Sequence, residues 1–271
     1  MERRRFTTLL LCALLAAPSA QAQLQEQDAI RLSTTTSTEN SGLLKVLLPA
    51  FEAKTGMQVH VISVGTGKAL ELGRNGDVDV TLVHARTLED TFVREGWGVD
   101  RRDVMYNDFI VVGPTGDPAR IKGGKDVIAA FRKIAASGSR FISRGDNSGT
   151  DVMERGYWQL AGSRPAGASY VSAGLGMGEV LNMAAEMRAY TLTDRATYGA
   201  YKARTGLAVL VEGDKRMFNP YGIIAVNPAR HKGVNYQGAK RLIDWITSKE
   251  GQARIAAFQP GGEQLFFPSA R

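Results

Sequence analysis

The sequence predicts an α/β protein of two lobes. Strand-like apolar runs alternate with helical stretches along nearly the whole chain. Two of those runs, "FIVVGPTGDP" at 109–118 and "FNPYGIIAVNP" at 218–228, border Pro/Gly-rich turns and read as crossovers between lobes. Hydroxyl- and glycine-rich loops recur just ahead of helices, where a cleft would need them.

Taken in order, residues 30–32 form a strand that ends in "STTTSTENSG". Leu43, Leu44, Val46, Leu47, Leu48 and Phe51 then give a helical apolar face that stops at Gly56. "QVHVISV" is a strand, "GTGKALELGRNG" a loop and helix, and "DVDVTLV" a further strand, a rhythm that calls for a largely parallel sheet. Beyond the first crossover come a helix at 126–137, a strand at 141–143 and a helix from Thr150 towards Leu160. A helix at 178–187, a strand from Tyr190 and "LAVLV" at 207–211 complete this part. After the second crossover, 237–247 and 249–257 are helical. The expected division is an outer lobe of 23–112 plus 221–271 and an inner lobe of 113–220.

Residues 1–22 are set apart from the fold. A basic stretch at 1–5, an apolar run at 6–17 and Ala20-Gln21-Ala22 follow the plan of a secretory signal peptide, cleaved before Gln23. The apolar run is too short to span a bilayer. Cys12, the chain's single cysteine, lies inside this segment, so the exported protein contains none and needs no disulfide. A periplasmic location is expected. Removal takes three arginines and one glutamate from a formal charge of +7, leaving +5. The remaining basic residues are scattered without aromatic interleaving, which argues against nucleic acid, while a modest positive field favours a small anion. A monomer is expected.

Four loops share one chemistry: the run Thr34, Thr35, Thr36, Ser37 and Thr38; Gly65-Thr66-Gly67; Ser148-Gly149-Thr150; and Gly176-Met177-Gly178. Each delivers hydroxyls or glycines to a helix N-terminus, where unpaired N–H groups and a partial positive charge attract anions. Arg144, just ahead of the third loop, adds a charge-assisted fork. Any one loop alone reads as an ordinary cap; four together point to a small, fully ionised oxyanion. Other chemistries fit poorly. Gly65-Thr66-Gly67-Lys68 lacks the full nucleotide-loop pattern. Ser148 lacks the glycine spacing of a nucleophile elbow, so a secreted serine hydrolase is the weaker alternative. His60, His84 and His231 form no metal-ligand spacing, and no cofactor or metal is expected.

The blocks "TTTSTENSGLL", "VGTGKALELGRNGDVDVTLVHA", "VMYNDFIVVGP", "SRGDNSGT", "GMGEVLNMAAEMRAYTLTDR" and "EGDKRMFNPYGIIAVNP", in this order over 31–268, closely resemble the tungstate-binding proteins of bacterial tungstate ABC importers. The resemblance implies a clamshell periplasmic binding protein, not an enzyme, that carries tungstate, or molybdate or another tetrahedral oxyanion, to a membrane permease. "RGDNSGT" is also similar to the anion loop of periplasmic phosphate-binding proteins. These similarities imply as ligand-binding residues Thr35, Thr36, Ser37, Thr66, Arg144, Ser148, Gly149, Thr150, Gly176, Gly178 and Tyr190. Phosphate binders place a carboxylate where this chain has His84, read here either as an adaptation to unprotonated anions or as structural. The family commonly has histidine after Ser-Gly-Thr, and this chain has Asp151, which would repel an anion unless it faces away or pairs with Arg155.

Overall fold

The computed structural model describes residues 29–270; the segment read as a signal peptide lies outside them. From the N-terminus, β1 (Ala29–Thr35) leads through α1 (Thr36–Asn40) and α2 (Leu44–Thr55) to β2 (Gln58–Val64), and α3 (Thr66–Asn75) leads to β3 (Val80–Val83). α4 (Arg86–Arg94) precedes the long β4 (Gly98–Gly113). The inner lobe then adds α5 (Val127–Ser137), β5 (Phe141–Ser143), α6 (Gly149–Ala161), β6 (Tyr170–Ser172), α7 (Met177–Glu186), β7 (Thr191–Asp194), α8 (Arg195–Thr205) and β8 (Ala208–Val211). β9 (Phe218–Val226), α9 (Tyr236–Ile246), α10 (Lys249–Ala257) and the short β10 (Phe267–Pro268) return to the outer lobe.

Local chemistry sets several of these boundaries. α2 ends where Gly56 turns left-handed at φ 72°. Asp126 stands before α5, and its carboxylate accepts from the amides of Ile128 and Ala129, so it is the cap rather than the first helical residue. α8 shows no apolar stripe because it buries little beyond Ala196 and Thr197, and its sequence therefore gives no helical period.

The outer sheet runs β10-β4-β9-β3-β1-β2. β1, β2 and β3 are parallel, as the alternation predicts, but β9 and β4 join antiparallel, so the sheet is mixed rather than largely parallel. The antiparallel half comes from the crossovers themselves, which run up one lobe and down the other. β4 also begins eleven residues before the run "FIVVG" suggests. Its first half, "GVDRRDVMYND", is charged and passes through two register shifts against β9, which breaks the period-2 signature.

β4 belongs to both lobes. Up to Asp108 it pairs with β9; from Phe109 onward it pairs with β7 and β8. β9 starts at Phe218, opposite Asp108. The exchange of pairing partners along β4 falls at Asp108/Phe109, a few residues before the Gly-Pro exit. Hydrophobic packing follows the same division. Phe51, Leu32, Ile223 and Trp245 belong to the outer core, whereas Phe131, Phe141, Tyr157 and Trp158 belong to an aromatic inner core. Phe131 is its hub, with ring centroids 4.2 Å from Trp158 and 5.5 Å from both Phe141 and Tyr157. Phe131→Ala is expected to destabilise the inner lobe by about 3–5 kcal/mol, measured as a lowered urea midpoint by circular dichroism.

Candidate anion-binding site

Parallel pairing places the carboxyl ends of β1, β2 and β3 on one side, so Thr35, Gly65 and His84 emerge together. In the inner lobe β5 and β6 are likewise parallel and end next to Arg144 and the loop to Gly176. The four hydroxyl and glycine loops therefore meet: they start α1, α3, α6 and α7, and they touch across the lobes. The Gly149 amide donates to Thr66 Oγ1 at 3.2 Å. Arg144 Nη1 donates to Ser37 Oγ at 3.0 Å, and Nη2 donates to Thr36 Oγ1 at 3.3 Å. A Cβ added to Gly176 would come within 3.8 Å of Thr36 Oγ1.

Arg144 is only 2% exposed. The loop that carries it turns tightly through Gly145 and Asn147, at φ 60° and 56°, and folds Asp146 back onto the guanidinium. Asp146 Oδ2 accepts from Nε at 3.2 Å and from Nη2 at 2.5 Å, while Oδ1 accepts from the Ser148 amide. The carboxylate thus holds the fork side-on, by Nε and Nη2, and leaves its Nη1–Nη2 end towards Ser37 and Thr36. Gly149 packs closely here: a Cβ there would lie 3.0 Å from the His84 carbonyl oxygen, tighter than an ordinary contact. The next residue, Thr150, is buried, and its Oγ1 has no hydrogen-bond partner among the described residues. A buried hydroxyl left unpaired is costly.

The chain matches the model of the PBP superfamily domain over residues 17–250. The tungstate-binding protein TupA of Peptoclostridium acidaminophilum is 47% identical over 264 residues, which cover 96% of this chain and 92% of that protein. This chain belongs to the TupA family of the PBP superfamily. Two solved structures agree. The crystal structure of the tungstate ABC transporter from Geobacter sulfurreducens is 55% identical, with a TM-score of 0.79 over 85% of this chain and 98% of that one. The tungstate-binding protein TupA of Desulfovibrio alaskensis G20 is 44% identical, with a TM-score of 0.75 over 90% of this chain and 99% of that one.

The residues singled out in the sequence fall into three groups. Thr36, Ser37, Thr66, Arg144, Ser148, Gly149, Thr150 and Gly176 gather at the junction of the lobes. Thr35 lies there too, but its hydroxyl is engaged on several sides: it caps α1 by accepting from the Thr38 amide, lies 2.8 Å from Thr38 Oγ1 and lies 3.1 Å from His84 Nε2. Gly178 is the second residue of α7, where a Cβ would collide with the Tyr201 hydroxyl. Tyr190 is set apart from the others. Its hydroxyl donates to Asp117 and accepts from the Ala119 amide, and its ring packs on Gly113 in the inner core. The loop after β4 thus engages its hydroxyl on both sides.

Asp151 does not face the anion side unneutralised. Its carboxylate accepts from the Asn147 amide and pairs with Arg155 at 3.3 Å. His84 is structural in its bonding and central in its location, held between Thr35, Asn219 and the ring of Tyr221. Sequence reasoning missed Asn107, Asn219 and Asp194, all buried beside this junction. No helical or strand periodicity separates such residues from ordinary loop-end asparagines and caps.

Behind the Arg144 loop, Glu154 of α6 is buried and accepts from Trp158 Nε1 at 2.9 Å and from the Tyr170 hydroxyl at 2.8 Å. Ser143 lies beside the carboxyl, outside hydrogen-bond geometry. Burial pushes the carboxyl up to about 7. The folded state therefore holds a proton that the unfolded state releases at lower pH. The stabilisation is complete below the unfolded carboxylate range and is lost as pH rises through about 7. Glu154→Gln removes this loss. Between about pH 5 and 8 the melting temperature of the native chain should fall relative to that of the variant, as followed by calorimetry in parallel buffers.

Proposed function

We propose that this chain binds tungstate between its two lobes in the periplasm, as a monomer without a cofactor, and hands it to the permease of an ABC importer. The reading is supported by the donor set: a desolvated guanidinium, the hydroxyls of Thr36, Ser37, Thr66, Ser148 and Thr150, and the amides that open α7. The observation that carries it is the buried Thr150 hydroxyl, unpaired among the described residues, at the start of the helix that follows the buried Arg144 loop. It rests also on relatives that bear the tungstate name across nearly the whole chain. A tetrahedral dianion accepts hydrogen bonds on every oxygen and carries no proton near neutral pH, so directed donors replace its hydration shell.

Both lobes contribute donors, so the closed form satisfies the anion and the open form does not; binding selects closure. Nothing in this scheme requires a bond to be made or broken. Ser148 Oγ accepts from the Asp151 amide as the cap of α6, a role that needs no nucleophile.

Calorimetric titration of the chain lacking residues 1–22 with tungstate, against molybdate, sulfate and phosphate, tests the reading. Strong binding of tungstate with phosphate silent is expected, and absence of heat with every oxyanion would remove it. Arg144→Ala should weaken tungstate at least about a hundredfold, and Arg144→Lys nearly as much, because an ammonium cannot reproduce the planar fork. Thr150→Val separates ligation from folding. The melting temperature of the ligand-free variant should be unchanged or higher, while affinity drops about tenfold.

A further inference from the structure

Where the two crossover strands meet, a chain of buried polar side chains runs from one to the other and into the threonine turn. Asn107 of β4 and Asn219 of β9 are direct partners in the ladder, and Asn219 Nδ2 donates to Asn107 Oδ1 at 2.7 Å. That bond orients the Asn219 amide, so its Oδ1 is the atom turned to His84 Nδ1 at 3.0 Å. An amide oxygen only accepts. Nδ1 therefore carries the imidazole hydrogen, and Nε2 presents its lone pair to Thr35 Oγ1 at 3.1 Å.

The consequence for Thr35 follows by counting. A hydroxyl has one hydrogen and two acceptor positions. The hydrogen goes to His84, and the acceptor positions take the Thr38 amide and the Thr38 hydroxyl. Nothing remains to donate to an anion, although the two residues that follow Thr35 both receive hydrogen bonds from Arg144. The ring itself is 4% exposed and stacks on Tyr221 at 4.7 Å. Burial lowers its basicity, opposed by the nearby Asp194 carboxylate and aided by Arg144. Gly149 of the inner lobe sits directly against it: a Cβ there would be 3.0 Å from the His84 carbonyl oxygen and 3.4 Å from Nδ1.

We propose that His84, as the Nδ1–H tautomer, is a positioning residue: it ties the Thr35–Thr36–Ser37 turn to both crossover strands and forms the seat for the first residue of α6, so that anion grip and lobe closure occur as one step. Thr35 then supports the grip without joining it. This inference rests on the anion-binding reading above.

The test pairs two substitutions with a direct measurement on the native chain. His84→Gln keeps an acceptor in the place of Nε2, and His84→Asn keeps a donor in the place of Nδ1 but leaves Thr35 without its partner. Tungstate affinity by calorimetry and the tungstate-induced decrease in radius of gyration by small-angle scattering are the readouts. His84→Asn should bind about ten- to a hundredfold more weakly and close incompletely, while His84→Gln stays within about fivefold of the native chain. Equal losses in the two variants would reduce His84 to packing, and native-like binding and closure by His84→Asn would overturn the proposal. The tautomer is read independently by 15N NMR of histidine-labelled native protein, which needs no variant to fold. A hydrogen on Nδ1 of His84 in the tungstate complex is expected, and one on Nε2 would overturn the assignment. Failure of the native chain to bind tungstate would instead count against the anion-binding reading, while the tautomer would still be measured.

Discussion

Arg144 is held almost without water at the junction of two lobes, and an unpaired guanidinium could not stay there. Asp146, two residues on, is what permits it: one carboxylate oxygen meets Nε and Nη2 together while the other fixes the Ser148 amide at the start of α6. The same carboxylate thus sets the direction of the charge and the position of the helix beside it. Everything that distinguishes this junction from a set of ordinary caps depends on that pairing. The left-handed residues Gly145 and Asn147 matter because they bring the carboxylate back to the fork.

Asp146 offsets the charge of Arg144 before a ligand enters. Attraction for an anion must then come mainly from oriented dipoles, the hydroxyls and the unpaired amides of helix starts, rather than from net charge. Dipoles fixed by the fold do not reorganise when the ligand arrives, and they discriminate by shape: an anion with its own proton meets few lone pairs at its oxygens. In the proposed carrier this arrangement favours a fully ionised tetrahedral ion and leaves the field around the protein modest.

Much of this was readable in the chain. The helix-start loops were visible as hydroxyl and glycine clusters, and the arginine stood beside one of them; three-dimensional proximity of four distant loops was not a property of any single stretch. Tyr190 shows the limit. The resemblance implied a ligand role for it, and nothing in its sequence neighbours foretold that its hydroxyl is bound by Asp117 and Ala119, 73 and 71 residues away. β4 shows another limit, since a strand that changes lobe and shifts register twice has no clean alternation to detect. The His84 chain was legible only as one histidine after an apolar strand; its partners Asn107 and Asn219 become meaningful once the two crossovers lie side by side.

The order of strands also governs how the molecule can be assembled. β9 lies in the middle of the outer sheet, between β4 and β3, yet it is encoded more than a hundred residues after both of its neighbours begin. While the chain is still being completed, β1, β2 and β3 can pair with one another, but the free edge of β3 and the first half of β4 lack β9 until residue 226 is added. The inner lobe, nearly contiguous in sequence, has no such wait. Folding of the outer lobe is therefore a late event that depends on distant pairing, and in the interval an open strand edge must be kept from other chains.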